Sequence, residues 1–194
     1  KFFSIYDNNI TGILPSDLGN LNKLTHFYIN GNAITGPIPT SIVNSSALQE
    51  LYLYSNQLTG AIPTSIGNLT GLTRLYLNQN QLTGTIPSSF GNLVNLQFFW
   101  AQDNNLTGQI PYEIGNLQNL DSFLVYRNDL TGTLPSSLGT IGALRQLRLD
   151  ENRIEGQIPP SFSNLVHINT LTLNNNKITG SIPSGFCAFT NINH

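Results

Sequence analysis

The stretch Leu72–Pro87, which reads L-T-R-L-Y-L-N-Q-N-Q-L-T-G-T-I-P, decides the fold because close copies of it recur every 24 residues. Three residue types keep one register through eight copies without an insertion. The recurring residues are Asn8, Asn32, Asn56, Asn80, Asn104, Asn128, Asn152 and Asn176, then Gly12, Gly36, Gly60, Gly84, Gly108, Gly132, Gly156 and Gly180, then Pro15, Pro39, Pro63, Pro87, Pro111, Pro135, Pro159 and Pro183. Such a period predicts a solenoid, in which each unit buries its apolar face against its neighbours.

Each unit begins with the pattern of a short half-buried strand. Leu75 and Leu77 alternate with Arg74, Tyr76 and Asn78, and a period of two places alternate side chains on opposite faces. Stacked copies would form a parallel sheet with strands spaced by ~4.8 Å.

The second half of each unit predicts turns and core contacts. We expect Asn80 to point inward and to satisfy backbone groups of its own turn and of the next unit, because a buried unpaired amide is costly. Gly84 would supply a backbone angle or a close approach that a side chain forbids. Pro87 would fix the chain as it turns to the convex side. The last core position of the units holds Leu18, Ile42, Ile66, Phe90, Ile114, Leu138, Phe162 and Phe186.

The full unit, L-x-x-L-x-L-x-x-N-x-L-T-G-x-I-P-x-x-L-G-N-L, resembles the plant-specific class of leucine-rich repeat. Leu58–Pro63 (L-T-G-A-I-P) and Leu106–Pro111 (L-T-G-Q-I-P) carry its signature, and the resemblance covers the whole chain. It implies an α/β solenoid, a right-handed superhelix of eight 24-residue repeats. The parallel β-sheet would lie on the concave face, a short second strand around L-T-G-x-I-P, and 3₁₀ helices or loops on the convex side.

The ends of the chain predict a piece of a longer protein. We expect residues 1–194 to form a single solenoid segment of eight repeats plus the start of a ninth. Members of this family normally close each end with a cap that contains paired cysteines, and neither end here shows one. We therefore expect an excerpt whose solenoid continues at both ends, with self-association of the ends as the alternative. The single cysteine, Cys187, is expected to be a free thiol, with a disulfide to a partner outside the segment as the alternative.

Composition excludes several function classes. There are 8 Lys and Arg against 10 Asp and Glu, a net charge of −2, whereas a nucleic-acid surface needs a basic stripe. No apolar run approaches the ~20 residues of a membrane helix. The three histidines fall at different repeat positions and no catalytic motif is present. We therefore expect no enzyme activity, no cofactor, no metal site, and no contact of this segment with nucleic acid or membrane.

The columns of the concave sheet contain the candidate ligand site. The residue between the two strand leucines is aromatic in four consecutive units, and aromatic residues of neighbouring columns broaden the band. An exposed aromatic band is a common character of contact surfaces, although strand positions favour aromatics and adjacent rings can simply stack. The aromatic candidates are Tyr28, Tyr52, Tyr54, Tyr76, Phe98, Trp100 and Tyr126.

Charged residues complete the candidate site in the C-terminal half of the same face. Arg127, Arg148 and Asp150 belong to a cluster of mixed sign. Mutual pairing at the surface is the simpler interpretation. The functional interpretation is polar recognition, in which Arg127, Arg145 or Arg148 holds a ligand carboxylate.

Four N-glycosylation sequons indicate an extracellular protein, although the repeat consensus itself readily produces such sequences. They begin at Asn9, Asn44, Asn68 and Asn105. We expect all four to be reachable by solvent.

Together these features predict an extracellular recognition module that binds a peptide, glycan or protein on its concave face. The repeat resembles that of the ectodomains of plant leucine-rich-repeat receptor-like kinases and receptor-like proteins. It is also similar to that of polygalacturonase-inhibiting proteins, so an inhibitor of cell-wall enzymes is one alternative. A structural or filament glycoprotein, or an ice-binding solenoid using the column of L-T-G threonines, is another. The protein would be secreted, wall-bound, or the ectodomain of a membrane protein.

Overall fold

The computed structural model describes residues 1–188, with only the backbone described for Cys187 and Ala188. The predicted start of a ninth unit and the redox state of Cys187 therefore lie outside the described residues and side chains. Both stay predictions.

One parallel sheet lines the concave face of the described solenoid. Its strands follow chain order, and each pairs in register with the residues 24 positions away, as Leu51 does with Leu75. The strands are Phe2–Ser4, His26–Tyr28, Glu50–Tyr52, Arg74–Tyr76, Phe98–Trp100, Ser122–Leu124, Gln146–Arg148 and Thr170–Thr172. The predicted sheet and its register are confirmed.

A second set of short strands follows the first, as the resemblance implies. These strands pair with the same strand of the next repeat and form separate sheets of four, two and two strands in the described chain. They are Thr11–Ile13, Ala33–Pro37, Gln57–Ala61, Gln81–Thr83, Thr107–Gly108, Asp129–Leu130, Glu155–Gln157 and Lys177–Thr179.

The other side of each repeat is a 3₁₀ helix that follows the recurring proline. Pro87 has φ −67° and Pro111 has φ −67°, which is the angle that the proline ring imposes. The helices are Leu18–Asn20, Thr40–Asn44, Thr64–Asn68, Ser88–Asn92, Tyr112–Asn116, Ser136–Thr140, Pro160–Asn164 and Ser184–Ala188.

The core runs without interruption between these layers. Leu75, Leu77 and Phe90 are almost fully buried, and the Phe90 ring packs edge-on against Phe99 at 4.7 Å. The first repeat differs, since its apolar side chains remain exposed at the edge of the solenoid. The exposed apolar residues there are Phe2, Phe3, Tyr6, Ile10, Ile13 and Leu21.

The inward asparagines join neighbouring repeats, but not in the predicted direction. Asn80 Oδ1 accepts a hydrogen bond from the Leu58 N–H at 2.9 Å, and Nδ2 donates to the carbonyls of Leu53 and Leu77 at 3.0 Å each. Leu53 and Leu58 belong to the preceding repeat, so the expectation of a contact with the next unit is wrong. The reason is the alternation of peptide N–H groups along the second strand. The N–H of Leu106 faces the following repeat, whose Asn128 accepts it. The N–H groups of Asn105 and Thr107 instead face the preceding repeat.

The residue before each of these asparagines adopts a left-handed backbone that the sequence did not predict. Its φ runs from 51° at Arg127 to 64° at Gly31. The column consists of Asp7, Gly31, Ser55, Gln79, Asp103, Arg127, Glu151 and Asn175. The later glycine of each repeat is also left-handed, with φ 73° at Gly84, which confirms the predicted need for glycine there.

Candidate ligand-binding face

Four aromatic side chains of the concave sheet stack into a continuous column, which we call the aromatic ladder: Tyr28, Tyr52, Tyr76 and Trp100. The ring centroids of successive members lie 4.2, 4.5 and 4.2 Å apart, and the ring planes differ by 7°, 19° and 16°. Parallel strands in register place these side chains at the strand spacing, so the rings meet face to face. The faces between neighbours are therefore covered, and the ladder presents ring edges to the concave surface.

Glu50 is the polar centre beside this ladder. Its carboxylate accepts hydrogen bonds from the hydroxyls of Tyr28 and Tyr52 and from the guanidinium of Arg74. Burial alone would raise the pKa of Glu50, but these donors outweigh it and hold the pKa below its ordinary value. Burial and the Glu50 carboxylate raise the pKa of Tyr28 to about 12, and the same two causes raise the pKa of Tyr52 further. Glu50 is thus ionised at neutral pH and fixes the hydroxyl ends of two ladder members.

The other aromatic candidates flank the ladder on both sides. Tyr54 packs edge-on against Tyr76 at 6.3 Å, and its hydroxyl oxygen accepts a hydrogen bond from the buried amide of Asn30. The Arg74 guanidinium lies 5.3 Å from the centroid of Phe98. All are half-buried, and they widen the aromatic surface as predicted.

Tyr126 lies between two arginines. The Arg148 guanidinium lies 4.0 Å above its ring centroid, and that of Arg127 lies at 5.8 Å. The ring is therefore a cation–π partner for the chain's own side chains.

Each of the five arginines in the sequence already has an acidic partner. Arg74 pairs with Glu50, Arg127 with Asp103 and Glu151, Arg145 with Asp121, Arg148 with Asp150, and Arg153 with Asp129. The simpler interpretation of the charge cluster, mutual pairing, describes its geometry. A ligand carboxylate at Arg127, Arg145 or Arg148 would have to share or displace a carboxylate of the chain.

Asp150 lies at the base of this cluster and is only 4% exposed. It accepts hydrogen bonds from Arg148 Nη2 at 3.2 Å and from the Thr172 hydroxyl. Its geometry suits the positioning of Arg148 above Tyr126, rather than direct contact with a ligand.

The four sequon asparagines, Asn9, Asn44, Asn68 and Asn105, are all exposed. None lies on a strand of the concave sheet. Asn44 and Asn68 end 3₁₀ helices, whereas Asn9 and Asn105 lie just before a second strand. Glycans at these positions would leave the aromatic ladder uncovered, and their presence stays a prediction.

The threonine column behind the ice-binding alternative is partly engaged by the fold. The hydroxyls of Thr35, Thr107 and Thr179 donate to the carbonyls of Gly12, Gly84 and Gly156 of the preceding repeat. These hydroxyls link neighbouring repeats at the surface of the solenoid.

Sequence reasoning missed Glu50 and Arg74 as members of the site. Glu50 also lies near His26, whose Nε2 is 3.9 Å from the Glu50 carboxylate. The signal was present in the columns, because Glu50 and Arg74 are adjacent to the tyrosine column and opposite in charge. Within residues 1–188, no group of three or more histidine, cysteine or acidic side chains is arranged for a metal. No helix in that part has the length and hydropathy to cross a membrane.

Family models for the leucine-rich repeat match most of the chain. A model described as "Leucine rich repeat" matches residues 46–106. A second, described as "Leucine Rich Repeat", matches residues 1–21, 23–45, 143–165 and 167–189. No curated protein sequence matches the chain significantly.

Solved structures of plant receptors share the fold at 38% and 31% sequence identity. The plant peptide hormone receptor RGFR1, solved in complex with RGF2, is 38% identical with a TM-score of 0.96, over 98% of this chain and 31% of the receptor chain. The ectodomain of the Arabidopsis receptor kinase HAESA, in complex with an extended IDA peptide hormone, is 31% identical with a TM-score of 0.91, over 97% of this chain and 32% of its own. The chain thus spans about a third of the length of these receptor chains.

A plant ice-binding protein matches more distantly, with 24% identity and a TM-score of 0.63 over 93% of this chain and 74% of its own. At that identity the match supports the fold alone. The family models and the receptor structures together confirm the right-handed solenoid with its concave parallel sheet. The chain belongs to the leucine-rich repeat family.

Proposed function

We propose that the chain is a recognition segment of an extracellular receptor-like protein and that it binds a peptide across its concave face. The observation that carries this proposal is the aromatic ladder with its flanking Tyr54, Phe98 and Tyr126. It is a half-buried aromatic surface on a sheet face that no second layer covers. Central aromatic residues of this kind dominate the energetics of many interfaces.

Ring orientation favours a peptide over a glycan. Sugars bind aromatic side chains by lying on an open ring face, and the faces between ladder members are occupied by neighbouring rings. Ring edges and nearby polar groups suit a peptide backbone, whose carbonyl oxygens meet the positive ring edge favourably. RGFR1 and HAESA, which share the fold, were each solved with a peptide hormone, and both comparisons support an extracellular location.

The proposal is tested with a random-peptide library displayed on phage and selected on the immobilised chain. A selected peptide is then measured by calorimetry against the wild type and against Trp100→Ala. We expect roughly 30-fold weaker binding for Trp100→Ala, the loss typical of a central tryptophan hot spot. Tyr112→Ala serves as the matched control, because Tyr112 is an exposed aromatic residue on a 3₁₀ helix outside the concave sheet.

Equal affinity of the Trp100→Ala variant, with loss in Tyr112→Ala, would move the site away from the concave face. Selection of no peptide, together with retention of a polysaccharide on a glycan array, would contradict a peptide ligand.

A further inference from the structure

One column of the concave sheet contains two buried amide oxygens without a hydrogen-bond partner. The column runs parallel to the aromatic ladder, two residues further along each strand. Its members in the central repeats are Tyr54, Asn78, Gln102 and Tyr126, which we call the amide notch. Asn78 is 7% exposed and Gln102 is 8% exposed. Asn78 Oδ1 and Gln102 Oε1 are buried and unpartnered among the residues that the structure describes.

The rest of the column shows that this is not a general property of the position. The buried amide of Asn30 donates a hydrogen bond to the hydroxyl oxygen of Tyr54, and the Asn30 oxygen is not among the buried, unpartnered atoms of the described residues. The buried carboxylate of Asp150 accepts from Arg148 and Thr172. Folds satisfy nearly all buried polar atoms, so two adjacent exceptions require an explanation.

The two amides lie between two aromatic residues that engage other partners. Tyr54 hydrogen-bonds Asn30 on the side away from Asn78, and Tyr126 packs under Arg148 at 4.0 Å on the side away from Gln102. Strand alternation directs Asn78 and Gln102 to the concave side, since Leu77 and Ala101 before them point into the core. The terminal torsions of asparagine and glutamine are broad, so a rotation of each amide brings its oxygen to that surface.

We propose that the amide notch binds the primary carboxamide of an asparagine or glutamine side chain in the ligand. The proposal rests on the proposed function and specifies one residue class of the peptide. Asn78 and Gln102 each follow a strand of the concave sheet by two residues, in neighbouring repeats whose strands are ~4.8 Å apart. A nitrogen about 2.9 Å from two oxygens at that separation subtends roughly 110° between them. This angle is close to that between the two N–H bonds of a primary amide, so one –NH₂ group satisfies both oxygens.

Charge selects a neutral donor over a cationic one. The ladder members Tyr76 and Trp100 present their ring edges, and the edge of an aromatic ring is positive. Arg127 and Arg148 flank Tyr126 at the other side of the notch. Both arginines are paired with carboxylates, so the positive ring edges are the uncompensated groups beside the notch. They disfavour an ammonium or guanidinium group relative to a neutral carboxamide.

Nuclear magnetic resonance of the isotope-labelled chain tests the notch with four small probes of similar size. Acetamide carries the –NH₂ group, N,N-dimethylacetamide lacks it, ethylammonium is cationic and acetate is anionic. We expect acetamide alone to shift the side-chain amide resonances of Asn78 and Gln102 in a saturable manner. The double variant Asn78→Leu/Gln102→Leu should abolish the response of the neighbouring Trp100 indole N–H to acetamide. An equal response to N,N-dimethylacetamide, or a stronger response to ethylammonium, would overturn the proposal.

Thermal unfolding provides a second, independent measurement. Asn78→Leu removes a polar atom without a partner, so we expect its melting temperature to equal or exceed that of the wild type. Asn30→Leu is the matched control and should melt at a lower temperature, because it breaks a buried hydrogen bond. If Asn78→Leu melts as low as Asn30→Leu, the oxygen is satisfied within the fold, for instance by an ordered water, and the notch is not a ligand site.

The selected peptide separates this inference from the proposed function. Loss of peptide affinity in both Trp100→Ala and the double leucine variant supports both. Loss in Trp100→Ala alone upholds the concave site and contradicts the carboxamide contact. Loss in neither variant contradicts the proposed function itself.

Discussion

At the scale of single residues, one asparagine amide holds two repeats together. Asn80 accepts the Leu58 N–H and donates to two carbonyls in two different repeats. Asn56, Asn104, Asn128 and Asn152 make the same set of contacts. Since these groups are buried, removing the amide leaves one backbone N–H and two carbonyls without partners, and each orphaned group costs free energy.

We therefore expect Asn80→Ala to lower the free energy of unfolding by about 3 kcal/mol, the sum expected for three buried groups left unpaired at about 1 kcal/mol each. Asn8→Ala is the matched control, because Asn8 has the same repeat position but is exposed and bonds only its own turn. Urea unfolding followed by circular dichroism measures both. Equal losses in the two variants would show that the ladder of inter-repeat bonds adds nothing to stability.

Glu50 predicts how stability depends on acid. Its pKa in the folded chain lies below the ordinary value of 4.5, so the folded state favours the ionised form. The stabilisation is complete above pH 4.5 and is lost as the pH falls through the lower folded value. Carboxylates titrate over roughly pH 5 to pH 3. Over this range the melting temperature of Glu50→Gln should therefore fall less than that of the wild type. If the melting temperatures of the two proteins fall equally with pH, the hydrogen bonds to the Glu50 carboxylate do not contribute to stability.

Tyr28 predicts the opposite dependence at alkaline pH. Its pKa is raised from 10.0 to about 12, so the neutral hydroxyl is favoured in the folded state. That stabilisation is complete below pH 10 and is lost as the pH rises towards 12. Ultraviolet titration of tyrosinate should show a late phase that Tyr28→Phe reduces and that Glu50→Gln moves to lower pH. If every tyrosine of the wild type titrates near the ordinary tyrosine pKa, the raised pKa of Tyr28 is contradicted.

At the scale of elements, the 3₁₀ helices of several successive repeats approach too closely for a side chain at the glycine of the L-G pair. A Cβ atom on Gly67 would lie 2.2 Å from the Ser89 carbonyl oxygen, and one on Gly139 would lie 2.3 Å from that of Ser161. Because the clash would be with a backbone carbonyl, no side-chain rotation relieves it. Glycine thus permits the close approach in these repeats, whereas Val43 and Ser163 occupy the same position in two others.

We expect Gly67→Ala to destabilise the chain by about 1–3 kcal/mol, the usual cost of overpacking. Gly142→Ala is the control, because a Cβ atom there meets nothing within 4 Å. Thermal unfolding of the two variants measures the difference. If Gly142→Ala loses as much stability as Gly67→Ala, the close approach of the helices is not the cause.

The elements themselves were predictable, because a period of 24 residues fixes which positions stack on one another. The left-handed residue before each asparagine was not, because Ser55, Gln79 and Arg127 share no property that signals a positive φ. The columns of the candidate site followed from strand alternation alone. The hydrogen bonds within these columns could not be predicted. Those from Tyr28 and Arg74 to Glu50 depend on side-chain rotamers that the sequence does not encode locally.

At the scale of the whole molecule, the concave face is divided into an aromatic half and a charged half. The aromatic ladder occupies the second to fifth strands, and the paired arginines and acids occupy the later ones. A peptide lying along the face would thus meet an apolar and a charged region in turn. The exposed apolar edge of the first repeat is a separate surface, with Ile13 exposed to 72%.

The direction in which the asparagines reach has a consequence for the order of folding during translation. In each repeat the peptide N–H of the leucine or isoleucine two positions before the recurring glycine faces forward, and the asparagine of the following repeat accepts it, as Asn104 does for Leu82. The N–H groups of Leu77 and Gln79 likewise donate to carbonyls of the following repeat. A repeat emerging from the ribosome therefore stays incomplete until its successor has emerged. Folding should trail synthesis by one repeat, and in chains truncated at successive repeats the last one should be the first site that a protease cuts.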